Sequence, residues 1–240
     1  MIAILSALAS ERDAVLQGVQ VDRVVQKASF RVFYGRRQGA ELMVAATGIG
    51  KVSAAARAQA AAGEFGATGI IFSGVAGGIG EGVQAGDLVI ATETVQHDFD
   101  CTVFGYQPGE VPRPGSLVVA SDGSYVEAAR RAAARCSWEA LPDGRLPAVH
   151  QGRILTGDQF VCSEETVARL ARTFGGLSVD MESAAVAQVA SWNEIPFLVI
   201  RSFSDTAGGD APAAFRGMSE LAARNAAKLA LATFEELLLP

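Results

Sequence analysis

The sequence predicts an α/β protein, a mixed and mainly parallel sheet with helices on its faces. Two observations carry that expectation. Short apolar runs of strand length recur along the 240 residues, and alanine-rich stretches of helical character lie between several of them. No Pro/Ser-rich linker interrupts the pattern, so residues 1–240 read as one domain. With 50% of its residues hydrophobic, a chain of this length can bury a substantial core and is not expected to be disordered.

The elements follow in order. Residues 1–7 form a first buried strand: the run is apolar, has no basic lead-in and passes straight into Ser10-Glu11-Arg12-Asp13. It is too short for a membrane span and wrong for a signal peptide, which predicts a cytoplasmic protein with no membrane partner. Residues 31–34 make a strand that pairs with residues 41–46 through the turn Gly35-Arg36-Arg37-Gln38-Gly39. Helix is expected over 50–63, strand over 69–73 and again over 88–94. Residues 99–115, with Pro108, Pro112 and Pro114, read as a long loop of the functional or interfacial kind. Helix 123–134, strand 152–156, helix 163–173, strand 178–181, helix 183–192, strand 197–203 and an amphipathic helix 213–238 complete the order.

Composition narrows the function. The formal net charge is −6 and no strongly basic stretch occurs, which excludes nucleic acid as the expected partner and favours a small molecule. Cys101, Cys136 and Cys162 are far apart and, with His97 and His150, form no metal-ligand spacing, so they are expected to be free thiols.

Two glycine-rich segments, Thr47-Gly48-Ile49-Gly50-Lys51 and Ser73-Gly74-Val75-Ala76-Gly77-Gly78-Ile79-Gly80, each follow a strand. Either is a tight strand-to-helix turn or a place where backbone approaches a ligand; the first lacks the phosphate-loop spacing. Two such segments at neighbouring strand ends are better explained by a shared ligand. Three acids also stand at strand ends. Glu11 lies just past the first strand, Glu182 opens a helical run, and Asp205 closes Val199-Ile200-Arg201-Ser202-Phe203-Ser204-Asp205. Each has an ordinary reading as a helix-start or turn acid. Ligands of open α/β sheets collect beyond the carboxyl ends of the strands, so the three can also converge on one site. Phe160, in Gly157-Asp158-Gln159-Phe160-Val161, is either core or a stacking surface for a planar base. Arg201 either neutralises a neighbouring acid or binds an anion.

The order and spacing of several segments then resemble a known family. They are the strand leading to Glu11, Thr47-Gly48-Ile49-Gly50-Lys51-Val52, Gly74-Val75-Ala76-Gly77-Gly78, Val83-Gln84-Ala85-Gly86-Asp87, His97-Asp98-Phe99-Asp100-Cys101-Thr102-Val103-Phe104-Gly105-Tyr106, Asp180-Met181-Glu182 and Arg201-Ser202-Phe203-Ser204-Asp205. Together they resemble the bacterial 5′-methylthioadenosine/S-adenosylhomocysteine nucleosidases of the nucleoside phosphorylase superfamily. The resemblance implies a three-layer sandwich with a central twisted mixed sheet, a homodimer, and hydrolysis of the N-glycosidic bond of an adenine nucleoside without metal or organic cofactor. Methylthioadenosine, S-adenosylhomocysteine, 5′-deoxyadenosine and aminodeoxyfutalosine share the adenine–ribose portion.

By position, Glu11 resembles the group that activates water, Asp205 the acid serving adenine N7, and Glu182 the clamp on the ribose hydroxyls beside Met181. Phe160 would stack on adenine and Val161 would read its edge through its backbone. Phe215 would close over the substrate, and Phe104 and Pro112 would reach into the partner's site. Ile49, Val75, Ala76, Gly77, Ser204 and Arg201 fall in the matching segments and are expected at the substrate. Two positions depart from the family pattern: Val75 stands where a hydroxyl residue is usual, and Asp180 where glutamate is common.

Two other readings compete. A phosphorolytic relative would need an anion pocket; Arg12 and Arg201 are at hand, but the Gly-Asp-Pro turn is absent and Glu11 would repel phosphate. A nucleoside-binding module without catalysis would not need all three acids.

Overall fold

The computed structural model describes residues 1–112, 117–208 and 211–239. The chain starts with β1 (Ile2–Ser6) and α1 (Ala9–Leu16), then a meander of β2 (Gln20–Lys27), β3 (Phe30–Arg37) and β4 (Ala40–Ala46). Next come α2 (Lys51–Gly63), β5 (Gly69–Gly78), β6 (Leu88–Gln96), a 3-10 turn (Thr102–Phe104) and the short β7 (Val119–Ala120). The remainder is α3 (Gly123–Arg135), β8 (Val149–Thr156), α4 (Glu164–Phe174), β9 (Ser178–Asp180), α5 (Ser183–Trp192), β10 (Phe197–Asp205) and α6 (Ala211–Glu236).

The strands form one sheet in the order β10-β6-β8-β9-β5-β1-β4-β3-β2, and a further β10–β5 pairing closes β5, β10, β6, β8 and β9 into a ring. Side chains alternate between the sheet's two faces, as the period of a strand requires. On one face Leu5, Met43, Phe72, Val89 and Val199 pack against Ala54, Ala58 and Ala61 of α2 and Val186 and Ala190 of α5. On the other, Ile4, Val44, Ile71, Ile90 and Ile200 meet Val15 of α1, Tyr125 and Ala129 of α3, and Leu229 and Phe234 of α6. Three layers result, and the alanines let α2 and α6 lie close to the strands.

The structure refines the expected elements at four points. The sheet is mixed, as expected, but only half of its strand pairings are parallel: β4-β1-β5-β10 and β6-β8-β9 are parallel, whereas β10–β6, β5–β9, β6–β7 and the β2-β3-β4 meander are antiparallel. Residues 73–80 are not a strand-to-helix turn, because β5 runs on through Gly78 and leads to another strand. The strand expected at 31–34 is eight residues long, and β2 beside it and helix α1 are additional. The long loop expected over 99–115 holds a 3-10 turn, and its residues 113–115, including Pro114, lie outside the described residues.

The end of β5 positions the site. Gly77 pairs with Val179 of β9 on one side and with Asp205 of β10 on the other. That register brings Asp180 and Asp205 to either flank of one glycine-rich strand end, with Glu11 entering from the first turn of α1 next to β1.

Candidate active site

A cavity of about 250 Å³ opens at these strand ends. Glu11, Glu182 and Asp205 line it, together with Ile49, Val75, Ala76, Gly77, Phe160, Val161, Met181, Ser204 and Phe215. These are residues that the sequence singles out. Ala7, Leu8, Gln159, Val179 and Asp180 complete the wall. Phe160 is 48% exposed, and its ring meets Phe215 edge-on at 6.1 Å. A large aromatic left half-bare at a cavity mouth is not core packing, and a planar ligand would cover it. Among the lining residues none is Lys, Arg or His.

Glu11 is held by backbone. The Leu8 N–H donates to Oε2 at 2.7 Å and the Val75 N–H to Oε1 at 2.8 Å. Helix start and strand end thus aim one carboxylate between them. Burial pushes its pKa up; the Arg201 charge and the two N–H groups pull against this without cancelling it. Gly74 makes the approach possible: a Cβ there would collide with both the Glu11 carboxylate and the Arg201 guanidinium. Val75 contributes its N–H to Glu11 while its side chain packs with Ala222 and Ala223 of α6. The wall at position 75 is therefore apolar, where the resemblance implies a hydroxyl.

Glu182 begins α5. Its Oε1 accepts the Gly50 N–H at 2.8 Å and its Oε2 lies 3.5 Å from Arg201 Nη2. Burial pushes the carboxyl up to about 7; Arg201 and the Gly50 N–H oppose the rise, and Asp180 and Glu11 add to it.

Arg201 is the main departure from expectation. It is placed at the substrate by the sequence, yet it is fully buried and does not line the cavity. Its Nε and Nη2 donate to Asp180 Oδ2 at 2.9 and 2.8 Å, and its guanidinium lies over the Phe72 ring at 4.3 Å. Asp180 also accepts from Thr156 Oγ1 at 2.7 Å and from the Ser183 hydroxyl. The internal-partner reading of Arg201 holds: it is a counter-charge beneath the acids. Its partner Asp180 lines the cavity but is not among the site residues that the sequence singles out, although the Asp-x-Glu spacing at a strand end is a signal that could have found it.

Asp205 ends β10. Its Oδ1 accepts the Ala207 N–H at 2.7 Å and its Oδ2 the Ser204 hydroxyl at 2.8 Å. Burial raises its pKa, partly offset by those two bonds.

Phe104 and Pro112 do not line the cavity of their own chain; Phe104, in the 3-10 turn, is 78% exposed. Among the described residues, no group of three or more His, Cys, Asp or Glu side chains is arranged to hold a metal ion, and no helix is long and apolar enough to cross a membrane.

Residues 1–235 match the model of the phosphorylase superfamily. A 5′-methylthioadenosine/S-adenosylhomocysteine nucleosidase of Mycobacterium bovis is 39% identical over 230 residues, covering 89% of each chain. The nucleosidase of that name from Neisseria meningitidis, solved with methylthio-immucillin-A, is 37% identical and superimposes with a TM-score of 0.90 over 98% of both chains. A futalosine hydrolase of Helicobacter pylori is 30% identical with a TM-score of 0.89, over 98% of this chain and 97% of its own.

Proposed function

This chain belongs to the 5′-methylthioadenosine/S-adenosylhomocysteine nucleosidases of the phosphorylase superfamily, and from that premise we propose how its residues divide the work of hydrolysis. The chain is a nucleosidase: it hydrolyses the N-glycosidic bond of adenine nucleosides and releases adenine. The observation that carries the assignment of roles is the convergence of Glu11, Glu182 and Asp205, all buried, on one cavity whose wall carries no cation.

Adenine leaves poorly as an anion. Asp205, whose burial favours the protonated form, gives its proton to N7 as the C–N bond breaks and the base takes the bonding pair. The sugar acquires oxocarbenium character. Glu182 sits at the ribose hydroxyls, and positive charge developing there favours its ionised form, which in turn stabilises that charge. Water attacks the anomeric carbon and yields its proton to Glu11, whose raised pKa suits a base. Net consumption is one water; Asp205 regains a proton and Glu11 loses one to solvent. This is the two-carboxylate logic of glycoside hydrolysis with a nitrogen base as leaving group. Phe160 and Phe215 flank the base, Val161 reads its edge, and Met181 and Ile49 border the sugar and its 5′ arm.

Arg201 offsets part of the cost of charging Glu11 and Glu182 and holds Asp180 in place rather than touching an anion. Its Nε and Nη2 are already engaged by Asp180 and Glu182 and the side chain does not line the cavity, so among charged side chains there a phosphate nucleophile would meet only carboxylates. Adenine release measured with and without phosphate tests this. The same rate in both is expected. Strict phosphate dependence, with a ribose-1-phosphate-type product, overturns hydrolysis.

The active unit we infer is a cytoplasmic homodimer of a single-domain chain, with Phe104 and Pro112 completing the partner's 5′ pocket. The exposed Val103 and Phe104 support it as apolar surface suited to burial. A fully active monomer at micromolar concentration refutes it. The 5′ substituent is read by adenine release across methylthioadenosine, S-adenosylhomocysteine, 5′-deoxyadenosine and aminodeoxyfutalosine.

A further inference from the structure

Lys51 ends the glycine-rich segment that opens α2, and its ammonium is committed to a carboxylate of the chain itself. Its Nζ donates to Asp98 Oδ1 at 2.6 Å, and both side chains are about four-fifths buried. The other oxygen of Asp98 accepts the Asp158 N–H at 2.9 Å. Asp158 closes the circuit, since its Oδ1 accepts the Lys51 N–H at 2.8 Å. One residue earlier, the Gly50 N–H donates to Glu182. Two residues after Asp158 stands Phe160.

The backbone is shaped for these contacts. Gly50 has φ +88°, and a Cβ there would lie 3.0 Å from Asp158 Oδ1. A Cβ on Gly157 would collide with the His97 ring, so the two loops touch at that point as well. Three segments far apart in sequence therefore meet at one carboxylate: the start of α2, the loop after β8, and the loop after β6 that goes on to Phe104.

We infer that Asp98, bonded to Lys51 and to the Asp158 N–H, is a positioning residue that fixes the Phe160 loop and the Gly50–Glu182 contact in one register. It touches no substrate, and it rests on the reading that Phe160 and Glu182 do. Burial pushes the Asp98 carboxyl up, but Lys51 and the Asp158 N–H more than reverse that and keep it ionised. Charge-assisted bonds of this kind are stronger than neutral ones, which suits a joint that must hold a loop still.

The test compares unmodified protein, Asp98→Asn, Lys51→Met and the double variant. Adenine affinity is measured by calorimetry, KM and kcat with methylthioadenosine, and Tm by thermal melting. Loss of charge-assisted bonds is expected to weaken adenine binding and raise KM about tenfold, with kcat changing less, because stacking on the base is shared by ground and transition states. The double variant should be no worse than the poorer single one, and Lys51→Arg should restore most of the affinity. Unchanged adenine affinity and KM with a lowered Tm overturns the inference, as do independent, multiplying effects of the two substitutions. Adenine binding needs no turnover, so an unmodified protein that binds adenine without hydrolysing nucleosides would defeat the nucleosidase roles and leave this test standing.

Discussion

At the β2–β3 edge of the sheet, Arg36 lies 3.2 Å from Asp22 and 3.3 Å from Glu41, and all three side chains are well exposed. At the end of β5, Glu11, Glu182 and Asp205 are almost entirely buried, and burial drives the pKa of each upward. The edge charges are hydrated, screened and worth little. The inner acids are costly, and one fully buried arginine offsets only part of that cost. The same residue types are thus solvated at one place in the sheet and, on the roles proposed above, carry the chemistry at the other. Stability and activity should respond to substitution in opposite proportions at the two places.

The largest effect is expected at Glu11. Glu11→Gln keeps the shape but cannot accept a proton from water, so kcat should fall about 10²- to 10⁴-fold while adenine still binds. Steady-state kinetics with methylthioadenosine beside adenine calorimetry reads both. A variant within about threefold of the unmodified rate would remove Glu11 as the base and break the contrast at its strongest point. Next comes Gly74→Ala. Its methyl would displace Glu11 or Arg201, and overpacking a tight interior costs roughly 1–3 kcal/mol. Urea denaturation should show that loss together with reduced turnover.

These residues also show what was legible beforehand. Asp205 and Glu182 follow apolar strand runs, so the pattern alone puts them at strand ends, and the site is found there. Gly74 and Gly77 mislead, because glycines inside a strand read as a turn unless the crowding that demands them is known. At Gly74 that crowding comes from Glu11 and Arg201, at distances in sequence that no local pattern spans. The burial of Arg201 is hidden for the same reason: Asp180 reaches it only through the β9–β5–β10 register. Strand β2 escapes notice because almost all its side chains are exposed, leaving no apolar face to count. Helix α1 is short and polar, and the acid at its start gives little sign that it is buried.

Glu182 supplies a pH signature. Its carboxyl moves from an ordinary 4.5 to about 7 in the folded chain. The folded state then binds this proton more tightly than the unfolded one. Stability from the neutral form is fully present below pH 4.5 and is lost as pH rises through 7. Glu182→Gln removes that loss. Its Tm relative to the unmodified protein should therefore rise between about pH 5 and pH 8, by about a few degrees. A difference that is flat or falls over that interval would mean Glu182 is ionised without cost, and the inner acids would resemble the edge ones.

The smallest effect is expected at Arg36. Arg36→Ala breaks both edge pairs at once, yet each is solvated and gains little over its hydrated partners. Loss of stability should stay within about 1 kcal/mol and shrink further in molar salt, where the screening length falls to about 3 Å. Adenine release should not change, since no residue of the β2–β3 hairpin lines the cavity. Parallel urea melts at low and high salt, with the nucleosidase assay alongside, measure all three. If Arg36→Ala cost more stability than Gly74→Ala, or slowed turnover, the edge would be coupled to the strand ends through β4 and β1, and the division between solvated charge and buried chemistry would fail.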